Sequence, residues 1–73
     1  MVLFSAVWCK YCIVVKDFLT ANPQITNVTI CDVDESPELP TELGVTQLPA
    51  LQKADGTLMV ESADIIQHIK DNQ

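Results

Sequence analysis

The chain has no arginine, and Lys10, Lys16, Lys53 and Lys70 are its only lysines. Ten Asp and Glu residues bring the net charge to −6. No basic cluster exists, so nucleic acid is excluded as a partner, because phosphate binding needs concentrated positive charge. Long apolar runs are also missing. None approaches the roughly 20 residues that span a bilayer, so no membrane partner is expected. Met1-Val2-Leu3-Phe4 has no basic segment before it and no small-residue cleavage site after it, which argues against a secretory leader. Internal repeats and low-complexity stretches are absent. The three cysteines are too few, and odd in number, for a disulfide framework. A close cysteine pair outside such a framework points to a reducing, cytoplasmic setting and to catalysis or metal binding.

What is present is apolar density. At 73 residues, 48% hydrophobic, the chain reads as one domain, residues 1–73, of a size at which cores are marginal. Cys9 and Cys12 close too short a loop to serve as a staple, since loop-closure stabilisation grows with loop length.

The elements follow from patterning. Met1 to Ala6 is apolar and β-prone and reads as a buried strand. Ile13, Val14, Val15, Phe18 and Leu19 recur at helical spacing, predicting a helix from Lys10 to about Ala21. Asn22-Pro23 ends it. Ile25 to Val33 is β-branched and reads as a second strand. Ser36-Pro37 has the form of an N-cap before a helical first position; Leu39 to Leu43 follows as a short helix, and Gly44 as its C′ residue. Leu48 to Lys53 and Thr57 to Val60 flank Asp55-Gly56, a strong hairpin signal. Ser62 is expected to cap a last helix carrying Ile65, Ile66 and Ile69 on one face. The order β-α-β-α-β-β-α predicts an α/β fold with a βαβ crossover, an added antiparallel hairpin and helices on both faces of a mixed four-stranded sheet.

Cys9 and Cys12 carry the chemistry. Cys9 falls at a helix start, where unpaired N–H groups and the macrodipole favour an anion. In such motifs the nucleophilic thiol falls from a pKa of about 8.5 to between about 3.5 and 7.5. Cys12 lies one turn further on, in reach of a mixed disulfide formed on Cys9. Lys10 adds a cation beside the pair. The alternative is zinc, for which Cys9, Cys12, Cys31 and His68 are suitable types. The span from Cys12 to Cys31 crosses a helix and half a strand, and no second Cys-x-x-Cys exists, so no metal is assigned. Cys31, inside a strand, reads as a small buried hydrophobe.

Phe4-Ser5-Ala6-Val7-Trp8-Cys9-Lys10-Tyr11-Cys12 resembles the thioredoxin stretch Phe-x-Ala-x-Trp-Cys-x-x-Cys. Tyr11-Cys12 followed by Lys16 and Leu19 is similar to the glutaredoxin pattern Cys-x-Tyr-Cys-x-x-x-Lys-x-x-Leu. Thr46-Gln47-Leu48-Pro49-Ala50-Leu51 resembles the family's cis-proline loop. The whole looks like a hybrid within the thioredoxin/glutaredoxin family, a small dithiol glutaredoxin-like protein of phage or microbial type, which would place it in the cytoplasm, a host's if phage-encoded.

That resemblance implies a thioredoxin-like fold and a disulfide oxidoreductase that carries electrons to disulfide-containing proteins, ribonucleotide reductase among them. Trp8, Tyr11, Leu48 and Pro49 would form the substrate rim. Glutathione or a flavoprotein reductase would be the electron donor, with no tightly bound cofactor. Ser62 and Asp64 resemble residues that receive the γ-glutamyl end of glutathione. The departures are Leu3 where thioredoxins place a buried aspartate, Ala6 or Val7 where glutaredoxins place a lysine, and Val60-Glu61 in place of Gly-Gly. They predict weak glutathione binding. The rival reading is a binding module of the same fold, docking proteins or holding an iron–sulfur cluster with glutathione.

Overall fold

A computed structural model describes all 73 residues. The elements run β1 (Val2–Ser5), α1 (Lys10–Ala21), β2 (Thr29–Asp32), α2 (Glu38–Leu43), β3 (Ala50–Gln52), β4 (Leu58–Met59) and α3 (Ser62–Asp71). The strands form one sheet in the order β2-β1-β3-β4. β1 is parallel to β2, while β3 is antiparallel to both β1 and β4. This is the mixed α/β sheet that the alternation of elements predicted.

The register divides the core. Leu3 faces Leu51 across the β1–β3 pair and shares its side of the sheet. Both are fully buried with Val15 of α1 and Ile65 and Ile69 of α3. Phe4 and Ala50 point the other way and are equally buried. Pro40 of α2 is buried as well. Pro40 falls in the first turn, where the N–H it lacks would have had no helical partner. Gly44 closes α2 with φ 72° and ψ 33°. Its N–H reaches Thr41 O at 3.2 Å, and the Val45 N–H reaches Pro40 O at 2.9 Å, the paired bonds of a left-handed C-terminal cap.

Several expectations need correction. The second strand covers only Thr29–Asp32, because its partner β1 begins at Val2, opposite Thr29. Ile25 and Val28 instead pack on the core from the preceding loop. Ser36 does not cap α2. That position belongs to Pro37, with no side-chain bond, and the Ser36 N–H closes a turn onto Asp32 O at 2.9 Å. Ser62 does not cap α3 either; it is the first helical residue and Glu61 takes the cap, again without a side-chain bond. On α1 the core face is Cys12 and Val15, flanked by Phe18 and Leu19. Ile13 and Val14 are exposed. Cys31 is half-buried, because β2 is an outer strand.

Candidate redox site

The site forms where β1 ends and α1 begins. Leaving the sheet, the chain turns so that the Cys9 N–H donates to Ala6 O at 3.1 Å. Cys9 then takes the N-cap position of α1 in an extended conformation, φ −90° and ψ 112°. A capping side chain accepts from an otherwise unpaired N–H of the first turn. Here the acceptor is sulfur: Cys9 Sγ receives the Cys12 N–H at 3.2 Å. The two cysteines are paired as a disulfide with Cα atoms 5.2 Å apart. Cys12 is fully buried and Cys9 is 6% exposed. Cys9 is the more accessible residue of the pair, but only a sliver of it reaches solvent. Ala6, Val33 and Leu48 pack around the pair.

A pocket of about 380 Å³ lies alongside, lined by Tyr11, Gln47, Leu48, Pro49, Val60, Glu61 and Ser62. The Leu48–Pro49 peptide is cis, as the resemblance implied. Leu48 sits just outside β3, and no turn, loop or side-chain hydrogen bond uses its backbone N–H or carbonyl. A peptide passing this edge meets an unpaired strand end, the arrangement that β-strand addition uses.

The structure gathers Tyr11, Leu48, Pro49 and Ser62 in this lining, while Trp8, Lys10 and Asp64 are not part of it. Asp64 follows in the first turn of α3. The Lys10 ammonium lies 5.8 Å from the centre of the Tyr11 ring. Trp8 is 68% exposed, and its indole Nε1–H donates to Asp34 Oδ2 at 2.8 Å. His68 lies in the last turn of α3. No three His, Cys, Asp or Glu side chains gather in an arrangement that could hold a metal.

Val60 and Glu61, read from the sequence as departures from Gly-Gly, and Gln47, read as part of the cis-proline loop, all line the pocket. Sequence reasoning missed Asp34. Asp34 lies 26 positions from Trp8, and nothing local marks it. Cys31 carries a thiol pushed up from its ordinary value, first by burial and then by the nearby charges of Asp32 and Glu38. That is the opposite of what a nucleophile needs.

A four-stranded mixed sheet with a Cys-x-x-Cys pair at a helix N-cap, beside a cis-proline loop, defines a thioredoxin-like protein with a redox-type role. The chain belongs to the family described as glutathione S-transferase, N-terminal domain, a thioredoxin-like domain that matches residues 3–73. It is also similar to the oxidized form of mitochondrial thioredoxin 3 from Saccharomyces cerevisiae. The identity is 32% over 96% of this chain and 74% of that one, with a TM-score of 0.60. No curated protein matches it in sequence.

Proposed function

We propose that the protein is a dithiol disulfide reductase. The carrying observation is the Cys9 sulfur at the N-cap of α1, bonded to the Cys12 N–H beside a pocket that Tyr11, Leu48 and Pro49 help to line. In the reduced protein the Cys9 thiolate attacks one sulfur of a substrate disulfide, and the other sulfur leaves as thiolate. Cys12 then attacks Cys9 of the mixed disulfide and releases the second substrate thiol. Two electrons have passed to the substrate, and the Cys9–Cys12 disulfide remains. An external thiol or a flavoprotein reductase then supplies two electrons to the Cys9–Cys12 disulfide, is itself oxidised, and restores the dithiol. Tyr11, Leu48 and Pro49 receive the segment that carries the disulfide. The setting is a reducing cytoplasm, and ribonucleotide reductase fits the class of target by family resemblance.

Glutathione is proposed as a weak co-substrate. The family's description and the position of Ser62 in the pocket at the start of α3 support contact. Glu61 puts a carboxylate in the same lining, and no cation stands at Ala6 or Val7 to hold a glutathione carboxylate.

The test is NADPH-driven reduction of insulin, run with glutathione plus its reductase and, in parallel, with a flavoprotein thioredoxin reductase. Turnover with at least one system is expected. Cys9→Ser should abolish it, and Cys12→Ser should accumulate a mixed disulfide visible by mass spectrometry. Insulin reduction by Cys12→Ser at the wild-type rate would remove the two-thiol mechanism.

A further inference from the structure

We infer that Glu61 determines the substrate class of this pocket: a polypeptide disulfide that carries, within two residues of its cysteine, a long cationic side chain, arginine above all. The inference rests on the reductase reading and concerns which disulfides are reduced, not how.

The pocket beside Cys9 and Cys12 has two parts. Tyr11, Leu48, Pro49 and Val60 give it apolar surface, and Glu61 is the only charged residue in its lining. That charge is peculiar to this chain, since Val60-Glu61 stands where the glutaredoxin pattern has Gly-Gly. The helix does not consume it. Glu61 is the N-cap residue of α3, extended at φ −88° and ψ 127°, yet its side chain makes no capping bond. Its backbone is fixed instead, because the Glu61 carbonyl accepts the Ile65 N–H at 2.8 Å. An anchored backbone thus presents a carboxylate that the fold has left free.

The charge decides what fits. A bare helix N-terminus would draw an anion. Here Glu61 and, in the first turn, Asp64 already answer that end of the helix dipole. No lysine lines the pocket, and the chain as a whole carries −6. An anionic segment is therefore repelled. An arginine or lysine side chain suits the surface that remains, because its methylene stem lies on apolar atoms while its charged head stays in water. Arginine adds two features. Its guanidinium bonds a carboxylate through two parallel N–H groups, and it stacks on aromatic rings such as that of Tyr11. The volume of about 380 Å³ admits such a side chain.

The test uses symmetric disulfides of a short alanine-rich peptide with one cysteine. Arginine, norleucine, glutamine or glutamate is placed in turn at each of the two positions on either side of that cysteine. Protein reduced with dithiothreitol and then desalted is mixed with each peptide at low ionic strength. Every turnover oxidises Cys9 and Cys12 to their disulfide and releases two peptide thiols. Acid quench and liquid chromatography give the second-order rate constant. At one position at least, arginine should exceed both glutamine and norleucine by roughly two- to fivefold, the span of one exposed ion pair, and glutamate should be slowest. Sodium chloride at about 0.5 M should erase most of that preference. Glu61→Gln should bring arginine and glutamine close together, and Glu61→Lys should favour glutamate. Asp17→Asn removes the same unit of charge from an exposed position in the far half of α1, and should leave the preference standing.

Equal rates for arginine and glutamine at all four positions, or norleucine matching arginine, would overturn the inference. So would a preference unchanged in Glu61→Gln, or one lowered as much by Asp17→Asn. A wild type that reduces none of the peptides would overturn the reductase reading itself, and this inference with it. If Glu61→Gln fails to fold, Glu61→Lys decides: reversal of the arginine–glutamate order supports the inference, and an unchanged order overturns it.

Discussion

Three cysteines of one chain differ through their surroundings alone. Cys9 caps a helix and its sulfur accepts a backbone N–H. Cys12 is sealed one turn further in. Cys31 lies half-buried on an outer strand with Asp32 and Glu38 near it, and both burial and those charges favour its neutral thiol. Its ionisation is therefore displaced to higher pH than that of an ordinary thiol, and its thiolate fraction near neutrality is correspondingly small. In the reduced protein, iodoacetamide at pH 7 should label Cys9 well before Cys31. Cys31 labelling should rise steadily with pH and go on rising into the alkaline range. Peptide mass spectrometry over a pH series measures this, and faster labelling of Cys31 at pH 7 would contradict the assignment of the nucleophile.

At the scale of elements, the two turns that lean on glycine are the most exposed to substitution. Gly44 closes α2 at φ 72° and Gly56 sits in the β3–β4 turn at φ 91°. A Cβ at either place meets nothing within 4 Å, so the penalty is purely one of backbone conformation. Gly44→Ala and Gly56→Ala should each cost about 1–2 kcal/mol, read as a lowered urea midpoint with an unchanged slope. The hairpin turn has further ties: Asp55 Oδ1 accepts both the Thr57 hydroxyl at 2.7 Å and the Thr57 N–H at 3.0 Å.

These turns were legible because glycine, proline and Asp-Gly act locally. Helix α1 was legible to its ends for the same reason, with the Cys9 start and the Asn22-Pro23 stop both written in neighbouring residues. What was not legible depended on partners. The length of β2 is set by β1, which no residue in Ile25 to Val28 encodes. The outward turn of Ile13 and Val14 depends on where the sheet meets α1. The cap at Glu61 rather than Ser62 is a matter of one residue, the usual uncertainty of a helix end. At the site, Cys9, Cys12, Leu48 and Pro49 were marked by motif, whereas Asp34 enters only through the tertiary pairing of β2 with β1.

As a whole molecule, the protein has a small interior for its reach. Its surface of 4481 Å² is close to the roughly 4,500 Å² expected of a folded monomer of this mass. The main core rests on five fully buried residues, Leu3, Val15, Leu51, Ile65 and Ile69. A domain of this length has about 4–11 kcal/mol to lose, and Leu51→Ala should remove about 2–5 kcal/mol of it. Thermal melting of that variant should begin tens of degrees lower, or show a partly unfolded population already at room temperature.

The outer position of β2 has a consequence for crowded solutions. The outer side of that strand has no strand partner, although Asp32 O there accepts the Ser36 N–H, and Ile30 is 48% exposed. Such a margin invites lateral accretion of another chain. What opposes it is mutual repulsion, carried locally by Asp32 and Asp34 and globally by the charge of −6. That repulsion vanishes near pH 4.2, the isoelectric point of the sequence. Turbidity of concentrated protein should therefore peak near pH 4.2, and Ile30→Lys, which puts a cation on the bare margin, should lower the peak and shift it towards higher pH. Colloidal behaviour in this molecule is thus governed at its rim, by the outermost strand of the sheet.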